Sequence, residues 1–180
     1  ISIFSERDVV DIKDVKKLIN NAYKENGDLW FVIVDEEGDL TFYDVSSVDI
    51  NGEIQERGYP KSAGFIVGDR VIIFDGKIVE KLSKDEFFGK PFGDGLQLSL
   101  IESLYLFDKD IISIKMLDDS KILSKKQFVD FIKKLQPDID IRSIVFNDLK
   151  KRGLIVKTGF KFGSHFRVYT KSPDESHAEY

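Results

Sequence analysis

A phenol and an imidazole flank a polar turn in FRVYTKSPDESHAEY, residues 166–180: Tyr169 precedes the turn and His177 follows it. His177 is one of two histidines in the chain. An imidazole exchanges a proton near neutral pH, and a phenol does so where cations favour its phenolate. Such a pair suits metal-free cleavage of RNA. One group removes the 2′-OH proton and the other protonates the departing 5′-oxygen. A lysine beside the phosphorane would stabilise the charge that builds there. The same spacing also reads more plainly, as a solvated loop before a ragged terminus.

The elements around this pair form a mixed α/β pattern. Residues 14–24 place Val15, Leu18, Ile19 and Ala22 at helical spacing, with Asp14 as the expected N-cap. LWFVIVDEEGDLTFYDV, which follows, predicts a hairpin around a glycine-containing turn. Residues 51–62, NGEIQERGYPKS, are polar and contain Gly52, Gly58 and Pro60, the composition of a linker. The stretch from Gly64 to Leu82 is expected to be β-rich, and Ser83 to cap a short helix. Leu96 to Phe107 is expected to be a mostly buried helix. Ser124 precedes an amphipathic helix with Phe128, Phe131, Ile132 and Leu135 on one face. IDIRSIVFNDLKKRG predicts another helix, closed by Gly153. LIVKTGFKFGSHFRVYT then gives strands punctuated by Gly159 and Gly163.

Composition narrows the chemistry. The chain has no cysteine, which excludes thiolate catalysis and cysteine-based zinc sites. A hydrophobic content of 42% with 33% charged residues is that of a globular protein, and no apolar run is long enough to span a membrane. The start, ISIFSERD, lacks the features of a signal peptide, so a cytoplasmic location is expected. A net charge of −5 opposes bulk attraction to nucleic acid, yet KKRGLIVKTGFKFG carries Lys150, Lys151, Arg152, Lys157 and Lys161 with no acid. That run suits a phosphate contact confined to one face, or a solvated helix end. GKPFGDG, residues 89–95, lacks the Lys-Ser/Thr of a P-loop. Pro137-Asp138 and Pro173-Asp174 lack a companion acid-x-Lys strand and read as turn punctuation rather than as a metal nuclease motif.

The segment GLIVKTGFKFGSHFRVYTKSPDESHAEY resembles the catalytic core of the tRNA-splicing endonucleases, especially the archaeal enzymes. The likeness rests on Arg152-Gly153, Ile155 to Gly159, Lys161-Phe162-Gly163, Phe166-Arg167, Tyr169 and the closing His177-Ala178-Glu179-Tyr180. GDRVIIFDG and LQLSLIESLYLF are similar to the family's N-terminal domain, so the resemblance covers about Gly64 to Tyr180. It implies cleavage of precursor tRNA at a bulge–helix–bulge, without metal or cofactor, leaving a 2′,3′-cyclic phosphate and a 5′-OH. Tyr169 is similar to the general base and His177 to the general acid. His165 has no role in the family pattern, and a structural one is expected.

The family's catalytic lysine follows the histidine, at the end of a helix and before a hairpin. Residues 1–50 look like that part, with ISIF continuing the strand that HAEY begins, which implies a circularly permuted unit whose lysine is Lys24. The other reading makes residues 1–50 the tail of a preceding repeat and puts the lysine beyond Tyr180. The expected division is 1–58, completing the catalytic domain or ending a preceding repeat; 59–63, a linker; 64–120, a small mixed-sheet N-terminal-type domain; and 121–180, a restriction-endonuclease-like catalytic domain. RNA contacts are expected from Lys157, Lys161 and Arg167, and from Lys17 on the helix of Lys24. The resemblance also implies a structural partner unit, as a homo- or hetero-oligomer or fused further along the chain. The acidic DEEGD turn and the 89–95 loop are candidate contacts. The alternative function is that of a non-catalytic, RNA-binding structural subunit of the same assembly.

Overall fold

The computed structural model describes residues 1–54, 58–118, 121–159 and 164–173. The chain divides into two units, residues 1–49 and 50–180. In the first, β1 (Ser2–Ser5) leads through α1 (Ile12–Lys24) to β2 (Leu29–Val34) and β3 (Leu40–Val45). β1 pairs parallel with β2, which a crossover helix permits, and β2 pairs antiparallel with β3 as the expected hairpin. The Asp35 carboxylate closes that hairpin by accepting from the backbone N–H groups of Glu37 and Asp39, both at 2.9 Å. The helix begins earlier than expected. Asp11, not Asp14, is its N-cap, accepting from Lys13 N at 2.7 Å. Asp14 falls in the first turn, where an acid complements the helix dipole.

The second unit contains β4 (Ser62–Val67), β5 (Arg70–Ile73), α2 (Gly76–Lys84), β6 (Lys90–Phe92), β7 (Gly95–Ser99), α3 (Leu100–Asp108) and β8 (Ile112–Met116). It continues with α4 (Lys125–Leu135), α5 (Ile139–Lys151), β9 (Ile155–Thr158) and β10 (Phe166–Tyr169). A five-stranded sheet runs in the order β6-β7-β5-β4-β8, parallel only between β4 and β8. β9 and β10 form a separate antiparallel pair.

The structure corrects three further expectations from sequence. The stretch to Leu82 is not all β. Asp75 accepts from Lys77 N and opens α2, whose Ile78 and Leu82 are fully buried at helical spacing. Ser83 is therefore not a cap; it sits in the last turn and donates back to the Val79 carbonyl at 2.7 Å. Leu96 to Phe107 is a strand followed by a helix. Leu96 and Leu98 alternate into the core, and Ser99 then forms a reciprocal capping box with Glu102 that starts α3. The Ser124–Gln127 capping box and the buried Phe128 and Ile132 agree with the expected α4, although Leu135 is exposed.

One core joins the parts of this unit. Phe88, Tyr105, Phe146 and Phe166 make successive ring contacts with centroids 5.5–5.9 Å apart, which carries packing from α3 through α5 to β10. Lys150, one of the run read as a basic face, is buried instead, 3.6 Å from the Glu86 carboxylate and over the Phe88 ring. Among the described residues no helix is long and apolar enough to cross a membrane.

Gly153 ends α5 in a left-handed conformation, φ 72°, and so aims β9 back along the unit. The 50–54 segment lies against it: Gly52 N donates to the Arg152 carbonyl at 2.8 Å and Ile54 N to the Gly153 carbonyl at 3.0 Å. A Cβ at 153 would stand 2.8 Å from the Gly52 and Ile54 carbonyl oxygens. Gly153→Ala is expected to lower stability by about 2–4 kcal/mol through left-handed strain and overpacking. A urea melt of the variant measures it.

Candidate active site

The β9–β10 ladder sets the register of the site. Lys157 lies directly opposite Arg167, and Tyr169 stands two residues further along the same strand face as Arg167. On the opposite face, Val156 and Val168 enter the core. Alternation therefore holds three candidate side chains against one space while the apolar partners anchor the ribbon. The space is a cavity of about 530 Å³. Lys157, Thr158, Arg167 and Tyr169 line it on this side, and Tyr169 is only 7% exposed. Arg167 is steadied by a hydrogen bond from Nε to the Thr158 carbonyl at 3.3 Å.

The opposite wall comes from the five-stranded sheet: Arg70, Lys90, Gln97 and Ser99, with Glu102 at the start of α3. Glu102 is buried and well satisfied. Its Oε1 accepts from Gly89 N at 2.9 Å, and its Oε2 accepts from Ser99 N at 2.8 Å and from Ser99 Oγ at 2.6 Å. The Gly89 carbonyl in turn accepts from Lys157 Nζ at 3.2 Å. Gly89 must be glycine to do this: its φ is 61°, and a Cβ there would lie 2.6 Å from the Gln97 carbonyl oxygen. GKPFGDG is thus a hairpin edge that positions Lys157, consistent with its lack of a P-loop signature.

Burial pushes the Lys157 ammonium below the usual lysine range. Glu102 opposes that shift, while the like charges of Lys90 and Arg167 add to it. An anion entering the cavity would favour the charged form. His165 lies away from this group, with Nε2 3.4 Å from the same Asp138 oxygen that Arg142 Nε holds at 2.6 Å. Among the described residues no three His, Asp or Glu side chains converge as metal ligands.

Of the residues singled out from sequence, Tyr169, Lys157 and Arg167 are brought together. His177 and Lys161 lie outside the described residues. Lys24 ends α1 and Lys17 sits about two turns earlier on the same helix, both exposed, with Lys17 paired to Asp14 at 2.9 Å. These two belong to the first unit. Sequence reading missed Arg70, Lys90 and Glu102. Their sequence signals are the polar alternation of Gln97 and Ser99 against Leu96 and Leu98 and, for Glu102, the capping-box spacing from Ser99.

Residues 62–129 match the tRNA intron endonuclease N-terminal domain, and residues 139–180 match the tRNA intron endonuclease catalytic C-terminal domain. The chain is 37% identical over 186 residues to the tRNA-splicing endonuclease of Methanococcoides burtonii, covering 100% of this chain and 53% of that protein. It is 36% identical over 174 residues to the tRNA-splicing endonuclease of Methanosarcina barkeri, covering 95% of this chain and 49% of the relative. The chain thus spans about half the length of these relatives. A match to the tRNA-splicing endonuclease of Pyrococcus abyssi is 39% identical over 112 residues, covering 62% of this chain and 65% of that one.

The lowered Lys157 pKa has a consequence for stability. With the folded value below the ordinary 10.5, the unfolded chain binds more protons between the two values. The cost of burying the charge is therefore present below the folded pKa and fades as pH rises through it. Titration of the Lys157 ε-carbon by NMR is expected to give a midpoint below 10.5, and Lys157→Met is expected to remove that rise in stability with pH.

Proposed function

The chain belongs to the tRNA intron endonuclease family, and from that premise we propose that it is a catalytic unit that cuts precursor tRNA at exon–intron junctions without a metal ion. The observation that carries this reading is the convergence of Tyr169, Lys157 and Arg167 on one cavity of an otherwise acidic chain. Tyr169 removes the proton from the 2′-OH, whose oxygen attacks the adjacent phosphorus. The bond from phosphorus to the 5′-oxygen breaks, and His177 protonates the leaving oxygen. The products are a 2′,3′-cyclic phosphate and a 5′-OH, with no water consumed. Lys157 and Arg167 hold the phosphate and supply positive charge as the phosphorane forms. Lys161 and Lys17 add RNA backbone contacts. The RNA is read by shape, which suits A-form grooves that expose little sequence.

Lys24 is the proposed lysine of the reacting centre, in a permuted unit completed by residues 1–49. A second reading of the lysine has one observation in its favour. The match to a relative about twice as long runs in order through the whole chain, as expected if residues 1–49 end one repeat and the lysine follows Tyr180. In either case the two bulges of the RNA lie apart, so the unit works with a structural partner unit of the same family. The reading puts the protein in the cytoplasm with its precursor tRNA.

Cleavage of an intron-containing precursor tRNA in excess EDTA tests the proposal, with the partner unit supplied where the chain alone is inactive. Tyr169→Phe and His177→Ala are each expected to lower the rate by about 10²- to 10⁴-fold. Comparable loss in Lys24→Ala supports the permuted unit, and full activity in that variant moves the lysine to the second reading. No cleavage under either condition would leave a structural, RNA-binding role.

A further inference from the structure

We propose that Arg70 and Lys90, on the five-stranded sheet, hold an RNA backbone phosphate flanking the one that is cut, so that the N-terminal-type domain forms half of the substrate site. The inference rests on the function proposed above and extends it to residues outside the catalytic C-terminal domain. Sheet pairing fixes the arrangement. Lys90 on β6 lies opposite Gln97 on β7, and Ser99, two residues further on, lies opposite Arg70 on β5. The four side chains therefore share one face, while Leu96 and Leu98 are fully buried on the other. This polar row forms the wall of the cavity across from Lys157, Arg167 and Tyr169.

Charge makes the row specific for an anion. Among the described residues four cationic side chains line the cavity, Arg70, Lys90, Lys157 and Arg167, against a single acid, Glu102. Glu102 is already engaged by three donors, and its charge also acts on the Lys157 ammonium. Arg70 is pinned at the wall, its Nη1 donating to the Asp69 carbonyl at 2.9 Å and to the Asp69 carboxylate at 2.8 Å. It also borders a second cavity of about 290 Å³ that is lined by Arg142 and His165. Donor side chains thus continue into a second cavity, where Asp138 offsets the charge of Arg142. Because the chain carries a net charge of −5, this concentration of cations is local. A phosphodiester chain with one phosphate between Lys157 and Arg167 would meet Lys90 and Arg70 with its neighbour.

The test uses the full chain and a precursor tRNA made uncleavable by a 2′-deoxynucleotide at each junction, so that binding is read without turnover. Affinity is measured by fluorescence anisotropy over a range of salt for the parent, Arg70→Gln, Lys90→Ala and the double variant, with Lys84→Ala on α2 as a charge control. Removing one cation from the phosphate is expected to make the slope of log K against log salt shallower by about 0.7–0.9, and the double variant by about twice that. Arg70→Lys is expected to keep the parent slope, and Lys84→Ala to match the parent. Cleavage assays on natural precursor should show raised KM with kcat changed little. Lys90 lies exposed on an edge strand, so Lys90→Ala keeps the test alive if an Arg70 variant misfolds by circular dichroism. Slopes and KM equal to the parent in folded variants would overturn the inference while leaving the catalytic reading intact. Shallower slopes of the expected size in a chain that never cleaves would support the phosphate site and defeat the catalytic reading alone.

Discussion

The Glu102 carboxylate, buried at the first turn of α3, accepts from Gly89 N, Ser99 N and Ser99 Oγ, and the shape of the cavity depends on its staying there. An ionised carboxylate taken out of water is costly unless its lone pairs are met, and three donors at 2.6–2.9 Å meet that condition. The same contacts define the geometry. They start the helix at Ser99, end β7 there, and bring the residue before β6 against α3. Gly89 then offers its carbonyl to Lys157, so that one buried acid steadies both walls. Its charge also counters part of the burial that depresses the Lys157 ammonium. Packing reinforces the arrangement from behind, through the ring contacts from Phe88 to Phe166.

Local chemistry is legible in sequence where a signal is carried by a few neighbouring residues. Ser124 with Gln127 announces α4, Gly153 closes α5, and the alternation in LIVKT and FRVY gives the paired strands that present Lys157, Arg167 and Tyr169. Reading fails where one apolar run contains two periods. In LQLSLIESLYLF the change from alternation to helical spacing falls at Ser99, and the surrounding leucines hide it. Asp75 and Asp11 do not stand out as caps because acids are common beside turns, and only backbone geometry tells which one accepts. Lys150 shows the limit of counting charge: it is a cation in the sequence, but burial beside Glu86 makes it part of the core. Arg70 and Lys90 reach the cavity through strand pairing with β7, a tertiary fact that leaves no motif behind.

The proposed reaction asks for two kinds of residue. In that proposal Tyr169 and His177 handle protons, a task set by side-chain chemistry and read from local pattern. The cations would hold phosphate in the same proposal, a task set by position, since any lysine or arginine that reaches the cavity will serve. That difference explains why catalytic candidates are visible in sequence while half of the binding wall is not. It also reconciles a net charge of −5 with the proposed action on RNA: attraction need only be strong where the backbone lies.

In the proposed reaction the 2′-oxygen of the nucleotide at the junction is the nucleophile. Replacing that single 2′-OH by hydrogen in an otherwise natural precursor, and following cleavage at that junction in excess EDTA, tests it most directly. The expected result is that binding is retained, that the modified junction is not cut, and that an unmodified junction in the same molecule is still cut to a 2′,3′-cyclic phosphate. Cleavage at the deoxy junction would contradict the claim, because the attacking oxygen would then have to come from water.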